Sequence, residues 1–83
     1  MTYEVEFKPR AVRDLDGLSP DVARRIIGKL DVMRQDLTGD VKRLTDFTPE
    51  YRLRVGDYRV LFEVLGSQII IYRVRHRREV YGP

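Results

Sequence analysis

Cysteine and tryptophan are absent from the sequence, and histidine occurs once, at His76. The lack of cysteine excludes disulfides and thiolate metal sites, and one histidine among scattered acids does not make a metal-ligand set. No apolar run approaches the roughly 18 residues of a membrane span, and the first ten residues carry acids within their apolar stretch, unlike a signal peptide. We therefore expect a soluble cytoplasmic protein with no membrane contact, no metal and no cofactor.

The charge of the chain, +3 over 83 residues, is unevenly distributed. Residues 1–50 hold nine Lys and Arg against ten Asp and Glu, whereas residues 51–83 hold seven arginines, no lysine and three acids. Arginine suits planar contact with phosphate and stays charged when it is partly desolvated. The basic third therefore indicates a phosphate-bearing or acidic partner, and on charge alone a solvated charged surface is an equal alternative.

Hydrophobic periodicity predicts a single domain over residues 1–83 that begins with a strand and two helices. Residues 2–7 alternate as a strand with one buried face, and Pro9 favours the start of a short helix over residues 10–18. Ser19-Pro20-Asp21 marks the start of the second helix, because serine caps helices and proline fits the first helical position.

The second helix carries an apolar stripe at spacings of three and four residues over about 16–18 residues. Asp21 and Arg25 are spaced for an ion pair on its solvent face. The tight link between the two helices favours an antiparallel αα-hairpin. The stripe consists of Val22, Ile26, Leu30, Met33 and Leu37.

The second half of the chain predicts a loop and then three strands. The loop covers residues 38–49, and we expect Leu44 and Phe47 to anchor it to the core. Gly56-Asp57 forms a two-residue turn, with glycine first as a type II′ turn requires. The order β-α-α-β-β-β predicts an α+β domain, in which a small, largely antiparallel sheet has the αα-hairpin packed on one face. The strands cover residues 50–55, 58–64 and 69–76.

The turn at Gly56 places Arg54 opposite Arg59, and directly opposed residues share a face of the sheet. The apolar face consists of Tyr51, Leu53, Val55, Tyr58, Val60, Phe62 and Val64. The other face consists of Arg52, Arg54, Arg59, Leu61 and Glu63. Because opposed like charges repel each other, we interpret this second face as an anion site. The alternative is that Glu63, Asp57 and solvent relieve the repulsion.

Periodicity does not fix the register of the last strand, because both of its sides mix apolar and polar residues. Arg75 falls on one side and His76 on the other. Histidine is the residue type that titrates near neutral pH. A lone histidine at the end of a strand is nevertheless more often structural or solvated than functional.

Three features together resemble the RelE/ParE superfamily of toxins from bacterial toxin–antitoxin pairs. They are the order of the elements, the run 51-YRLRVGDYRVLFEV-64 and the ending 74-VRHRREVY-81. The resemblance covers essentially the whole chain and favours the RelE branch. It implies a toxin that enters the ribosomal A site and cuts translated mRNA. The alternatives are a ParE-type toxin, which inhibits DNA gyrase without cleavage, and a plain basic nucleic-acid-binding module.

The RelE pattern implies site residues on the hairpin and near the end of the chain. It has basic residues before the glycine turn, an arginine after it, and a basic group and a tyrosine near the C-terminus. Better-known members carry lysine at the first two positions, and some continue into a helix beyond the tyrosine. The matching residues are Arg52 and Arg54, then Arg59, then His76 or Arg77, and Tyr81, with Arg75 as a further phosphate contact.

RNA cleavage without a metal can use the 2′-OH of the substrate as nucleophile, helped by a base, an acid and cations around the phosphate. Arginine cannot serve as the base, so Arg52, Arg54 and Arg59 are expected to bind phosphate and stabilise the transition state. His76 and Tyr81 are the candidate base and acid, and Tyr81 can instead stack on a nucleobase. The resemblance also implies a cognate antitoxin, and operator DNA only through the antitoxin complex.

Overall fold

The described part of the chain folds into five strands of one mixed sheet and three helices. The computed structural model describes residues 2–44 and 48–81, with the backbone alone at Val80 and Tyr81. The elements are β1 (Glu4–Phe7), α1 (Pro9–Asp16), α2 (Pro20–Met33), β2 (Val41–Arg43), β3 (Tyr51–Val55), β4 (Tyr58–Leu65), β5 (Gln68–His76) and α3 (Arg77–Tyr81). The strand order is β1-β5-β4-β3-β2, with β1 parallel to β5 and the other pairs antiparallel. The predicted α+β class is confirmed.

Both predicted helices form, and each begins at a proline. Pro9 opens α1, and the hydroxyl of Ser19 accepts a hydrogen bond at 3.4 Å from a backbone amide in the first turn of α2. The prediction that Asp21 pairs with Arg25 was wrong, because Asp21 pairs with Arg24. The two side chains are three residues apart, which is the other spacing that brings helical side chains together.

The helix α2 is shorter than predicted and ends at Met33. Asp36 and Leu37 have φ angles of 68° and 57°, in the left-handed region that does not continue a right-handed helix. Leu37 still packs against the core from this turn. No helix in the described part of the chain is long and apolar enough to cross a membrane.

The helices cover one face of the sheet, and the predicted hairpin register is confirmed. Val55 opposes Tyr58 across a turn in which Gly56 has a φ of +58°. The helix α1 lies against β5, and α2 lies against β3. The buried core consists of Ala11, Ile26, Leu30, Met33, Leu53, Val55, Val60, Phe62, Ile69, Ile71 and Val74.

An irregularity in β5 explains why periodicity did not fix its register. Two consecutive residues of β4 pair with Arg73 and Ile71, so Tyr72 is an extra residue in the ladder. The shift lets Ile71 and Val74, which are three residues apart, both enter the core. Strict alternation along the strand would have placed them on opposite faces.

The prediction of an uninterrupted loop over residues 38–49 was wrong, because this stretch contains the edge strand β2. Val41 opposes Leu53, and Lys42 opposes Arg52. Three residues are too few to show a strand period. The strand exists because β3 offers it a free edge, which is a property of the tertiary structure.

Leu44, one of the two predicted anchors of this loop, is held through its backbone. The amide of Leu44 donates a hydrogen bond to the carbonyl of Glu50 at 2.6 Å, which ties the loop to the chain leading into β3. Phe47 lies outside the described residues. The chain after β5 forms the short helix α3, which the sequence did not predict.

Asp14 of α1 closes the part of the β5 edge that β1 leaves open. β1 pairs with residues 68–71 only. Beyond them the Asp14 carboxylate accepts hydrogen bonds from the amide of Val74 at 2.9 Å and from the Arg73 side chain at 2.8 and 3.2 Å. Burial by itself raises the pKa of Asp14, but these hydrogen bonds and the charges of Arg73 and Arg75 outweigh it and lower the pKa below its usual range.

Asp14→Asn is expected to lower the free energy of unfolding at pH 7 by about 1–3 kcal/mol, because it removes a charge-assisted acceptor. The pKa of Asp14 is lower in the folded than in the unfolded chain. Its contribution is therefore complete above the unfolded value of about 4 and is lost as the pH falls through the folded value.

Urea unfolding at pH 7 and at pH 2.5 measures this effect, and the difference between wild type and variant should shrink at the lower pH. Asp16→Asn changes an exposed neighbour in α1 and serves as the matched control. A difference that stays the same at both pH values would show that the charge of Asp14 is not what stabilises this edge.

Candidate anion-binding site

Three arginines lie side by side across the sheet, on the face away from α1 and α2. Arg54 of β3 opposes Arg59 of β4, and Arg59 opposes Arg75 of β5. The residues that adjoin them along the strands include core positions, so alternation turns the arginines to the other face. Directly opposed residues have Cβ atoms about 5 Å apart. We call these three residues the arginine row.

Arg59, at the centre of the row, is a buried cation. Its exposed fraction is 7%, and it is the one buried charged residue among those that the structure describes. Its Nη1 donates to the carbonyls of Gly56 at 2.9 Å and Tyr58 at 3.0 Å, whereas its Nε is buried without a hydrogen-bond partner. Within residues 2–44 and 48–81 it has no carboxylate partner. A buried cation between two like charges is costly unless an anion binds to it.

The two outer arginines, by contrast, each have a carboxylate nearby. Arg54 Nη1 lies 4.0 Å from Asp40 Oδ2, and Arg75 Nε lies 3.2 Å from Glu79 Oε2. The sequence had offered Glu63 and Asp57 as the groups that relieve the repulsion. Glu63 instead accepts a hydrogen bond from the amide of Glu50 at 2.9 Å, so it holds the loop before β3.

A second cationic position adjoins the row on β3 and β2. Arg52 is mostly buried, with 14% of its side chain exposed, and its Nη1 donates to the carbonyl of Asp40 at 3.2 Å. Lys42 opposes Arg52 across the ladder and therefore shares its face. The sequence did not indicate Lys42 as a site residue, because the three-residue strand β2 lies in a stretch that was predicted to be a loop.

The hairpin turn supports the row from one end. Gly56 needs a positive φ, and its Cα faces the guanidinium of Arg25, whose Nη1 would lie 3.4 Å from any added Cβ. Its carbonyl is also the acceptor for Arg59. A larger residue at position 56 would therefore disturb both the turn and the central arginine.

His76 lies on the opposite face of the sheet from the arginine row. It opposes Tyr58, and the two rings meet edge-on with centroids 5.5 Å apart. Its Nδ1 accepts a hydrogen bond from the amide of Arg78 at 3.3 Å, which holds the start of α3. The fold thus brings together Arg54, Arg59 and Arg75 and separates His76 from them.

The remaining predicted residues belong to α3. The amide of Arg77 donates to the carbonyl of Asp57 at 2.8 Å, and its Nε lies 3.8 Å from the Asp57 carboxylate. Arg77 is therefore next to the hairpin turn. Tyr81 ends α3, and its side chain lies outside what the structure describes.

These contacts define what the site can do chemically. The row presents guanidinium groups and no neutral base, since arginine stays protonated. Among the described residues no group of histidines and acids is arranged to hold a metal ion. The arrangement suits the binding of a phosphate group and the stabilisation of negative charge on it.

The fold and site define a small α+β domain with a cationic sheet face, and known proteins share this architecture. The family model for the ParE toxin of the type II toxin–antitoxin system parDE matches residues 5–81. Toxin RelE3 of Methanocaldococcus jannaschii is 34% identical in an alignment 83 positions long that covers 94% of this chain and 94% of that one.

Two solved complexes contain chains of the same fold. The RelB–RelE antitoxin–toxin complex from Methanococcus jannaschii has a chain with a TM-score of 0.75 and 31% identity, covering 92% of this chain and 94% of that one. The toxin–antitoxin complex RelBE2 from Mycobacterium tuberculosis has one with a TM-score of 0.80 and 26% identity, covering 93% of this chain and all of that one. The chain belongs to the RelE/ParE superfamily of toxins of type II toxin–antitoxin systems.

Sulfate is expected to stabilise the protein through the arginine row, because an anion that binds only the folded state raises its stability by mass action. At a concentration about ten times its Kd the gain is about 1.4 kcal/mol. Thermal unfolding in sodium sulfate and in sodium chloride of equal ionic strength measures it.

Arg59→Met should lose most of the sulfate-specific rise in Tm. Arg24→Met removes an exposed arginine of α2 and is the control. Its rise in Tm measures the stabilisation that sulfate gives any folded protein by being excluded from the protein surface. The same rise in all three proteins would mean that the row holds no anion.

Proposed function

We propose that the chain is a ribosome-dependent endoribonuclease that cleaves translated mRNA in the A site and so inhibits translation. One observation carries this proposal, the buried cation Arg59 set between Arg54 and Arg75 without a carboxylate of its own among the described residues. Opposed like charges and a buried unpaired cation destabilise a sheet, whereas they favour the binding of a phosphate. The similarity to chains named RelE favours RNA as the bearer of that phosphate.

In the proposed reaction a phosphodiester of the message lies on the arginine row. The 2′-oxygen attacks the adjacent phosphorus, the bond from phosphorus to the 5′-oxygen breaks, and the products end in a 2′,3′-cyclic phosphate and a 5′-hydroxyl. One proton leaves the 2′-OH and one reaches the 5′-oxygen. The charge that develops on the phosphorane oxygens is stabilised by Arg59 and its two neighbours, with Arg52 as a further phosphate contact.

Proton transfer remains the part of the reaction that the arginine row cannot supply. Tyr81 stays the proposed acid or base, and Arg77 belongs to the same short helix, α3. His76, the other candidate from the sequence, lies against Tyr58 on the opposite face of the sheet, so a phosphate bound at Arg59 is outside its hydrogen-bond reach. A catalyst with so few groups for proton transfer depends on the ribosome to orient the 2′-OH, so we expect little cleavage of free RNA.

The proposed partners follow from the same surface. The two solved relatives described above come from complexes with an antitoxin. We infer a cognate antitoxin here, with an acidic segment that covers the cationic face and with operator DNA bound only by the complex. The working partners of the free toxin are the ribosome and mRNA, which places the protein in the cytoplasm.

Inhibition of DNA gyrase is the second candidate function, and the match to the ParE toxin family model is the observation that favours it. A ParE-type toxin needs no cleavage residues. The two candidates therefore differ in whether Arg59 takes part in a reaction.

Induction of the chain in cells, followed by primer extension on a translated message, tests the proposal. We expect cuts in phase with codons that vanish when translation is blocked. Arg59→Ala should reduce the cutting rate on the order of a hundredfold or more, because it removes a donor to the transition state. Arg24→Ala, on the solvent face of α2, should leave it unchanged.

Two outcomes would contradict the proposal in different ways. Breaks in gyrase-bound DNA with intact mRNA would replace it with the ParE-type function. Efficient cleavage of naked RNA by the purified protein would retain the nuclease and remove its dependence on the ribosome.

A further inference from the structure

The arginine row ends in a carboxylate on both sides. At the β2 edge, the carbonyl of Asp40 accepts a hydrogen bond from the amide of Arg54 at 2.9 Å, and its carboxylate lies near both Arg54 and Arg52. At the other end, Glu79 of α3 lies 3.2 Å from the Nε of Arg75. Asp40 directly precedes the edge strand β2 and Glu79 belongs to α3, and the sequence predicted neither of these two elements.

The two acids contribute little to stability in these positions. The side chains of Asp40 and Glu79 are each 54% exposed, and exposed ion pairs are weak because water screens them. Their larger effect is on the electrostatic potential of the face. Three guanidinium groups and two carboxylates give the row itself a formal charge of +1, and Asp40 is shared with the adjoining Arg52, whose Nη1 lies 3.4 Å from it. Within the row, Arg59 is the member without a carboxylate partner among the described residues.

We propose that Asp40 and Glu79 are specificity residues that restrict the row to one singly charged phosphodiester, bound at Arg59. They lower the affinity of Arg54 and Arg75 for further phosphates of the same strand. The face then selects a single phosphate that is presented to it and binds an extended free RNA poorly. This inference rests on the proposed function, because it takes the bound phosphate to belong to RNA.

Binding of a short, fluorescein-labelled, 2′-O-methylated single-stranded RNA, which cannot be cut, tests the inference. Fluorescence anisotropy over a range of NaCl concentrations gives both affinity and salt dependence. The double variant D40N/E79Q should bind about threefold more tightly for each carboxylate removed, as expected for unit charges about 6 Å apart in water. Its salt slope should steepen by about 0.7 for each additional phosphate contacted.

The matched control is D21N/D31N, which removes the same charge at two exposed aspartates of α2, each paired with an arginine three residues further along the chain. Equal tightening in both double variants would overturn the inference, because the whole charge of the protein would then explain the gain. Unchanged or weaker binding by D40N/E79Q would also overturn it. If this variant does not fold, the single variants D40N and E79Q are compared with D21N in the same way.

Failure of the inference can be separated from failure of the proposed function. Translation-dependent cutting by the wild type, together with equal binding by the two double variants, removes the role of Asp40 and Glu79 and keeps the nuclease. Tighter binding by D40N/E79Q, without any cutting of mRNA in cells, supports the charge-limiting role and removes the nuclease.

Discussion

The two-residue turn at Gly56-Asp57 is the constraint on which the sheet and the site both depend. It fixes the register of β3 against β4, and a shift of one residue would exchange the two faces of these strands. In the observed register Leu53 and Val60 lie in the core, while Arg54 and Arg59 lie together on the other face. The carbonyl of Gly56 also accepts a hydrogen bond from Arg59, so the same turn orients the central side chain of the site.

Two arginines of this sheet, Arg73 and Arg59, differ in their burial and in the groups that bind them. Arg73 has a carboxylate within 2.8 Å, Asp14, and this pair closes the open edge of β5. Arg59 is more deeply buried, has like charges on both sides and, among the residues that the structure describes, is held by backbone carbonyls alone. The first arrangement stabilises the fold, and the second opposes it. This difference is the reason that we propose the row as a binding site for an anion.

Local patterns were enough for the features that depend on residues close together in the chain. The helix starts, the hairpin turn and the opposition of Arg54 and Arg59 all follow from such patterns, and the structure has them. Arg75 joined the row only through the irregularity at Tyr72, which no pattern in the sequence marks. Lys42 was missed because a three-residue edge strand has no detectable period.

The sequence by itself determined the α+β class, the order of the principal elements and the existence of an arginine face, because turns, caps and alternation are encoded locally. Only the tertiary structure decided which charges become neighbours. It placed Asp40 and Glu79 at the ends of the row and His76 on the opposite face. These positions depend on strand pairing and on helix docking between distant parts of the chain, and such contacts leave no periodic trace in the sequence.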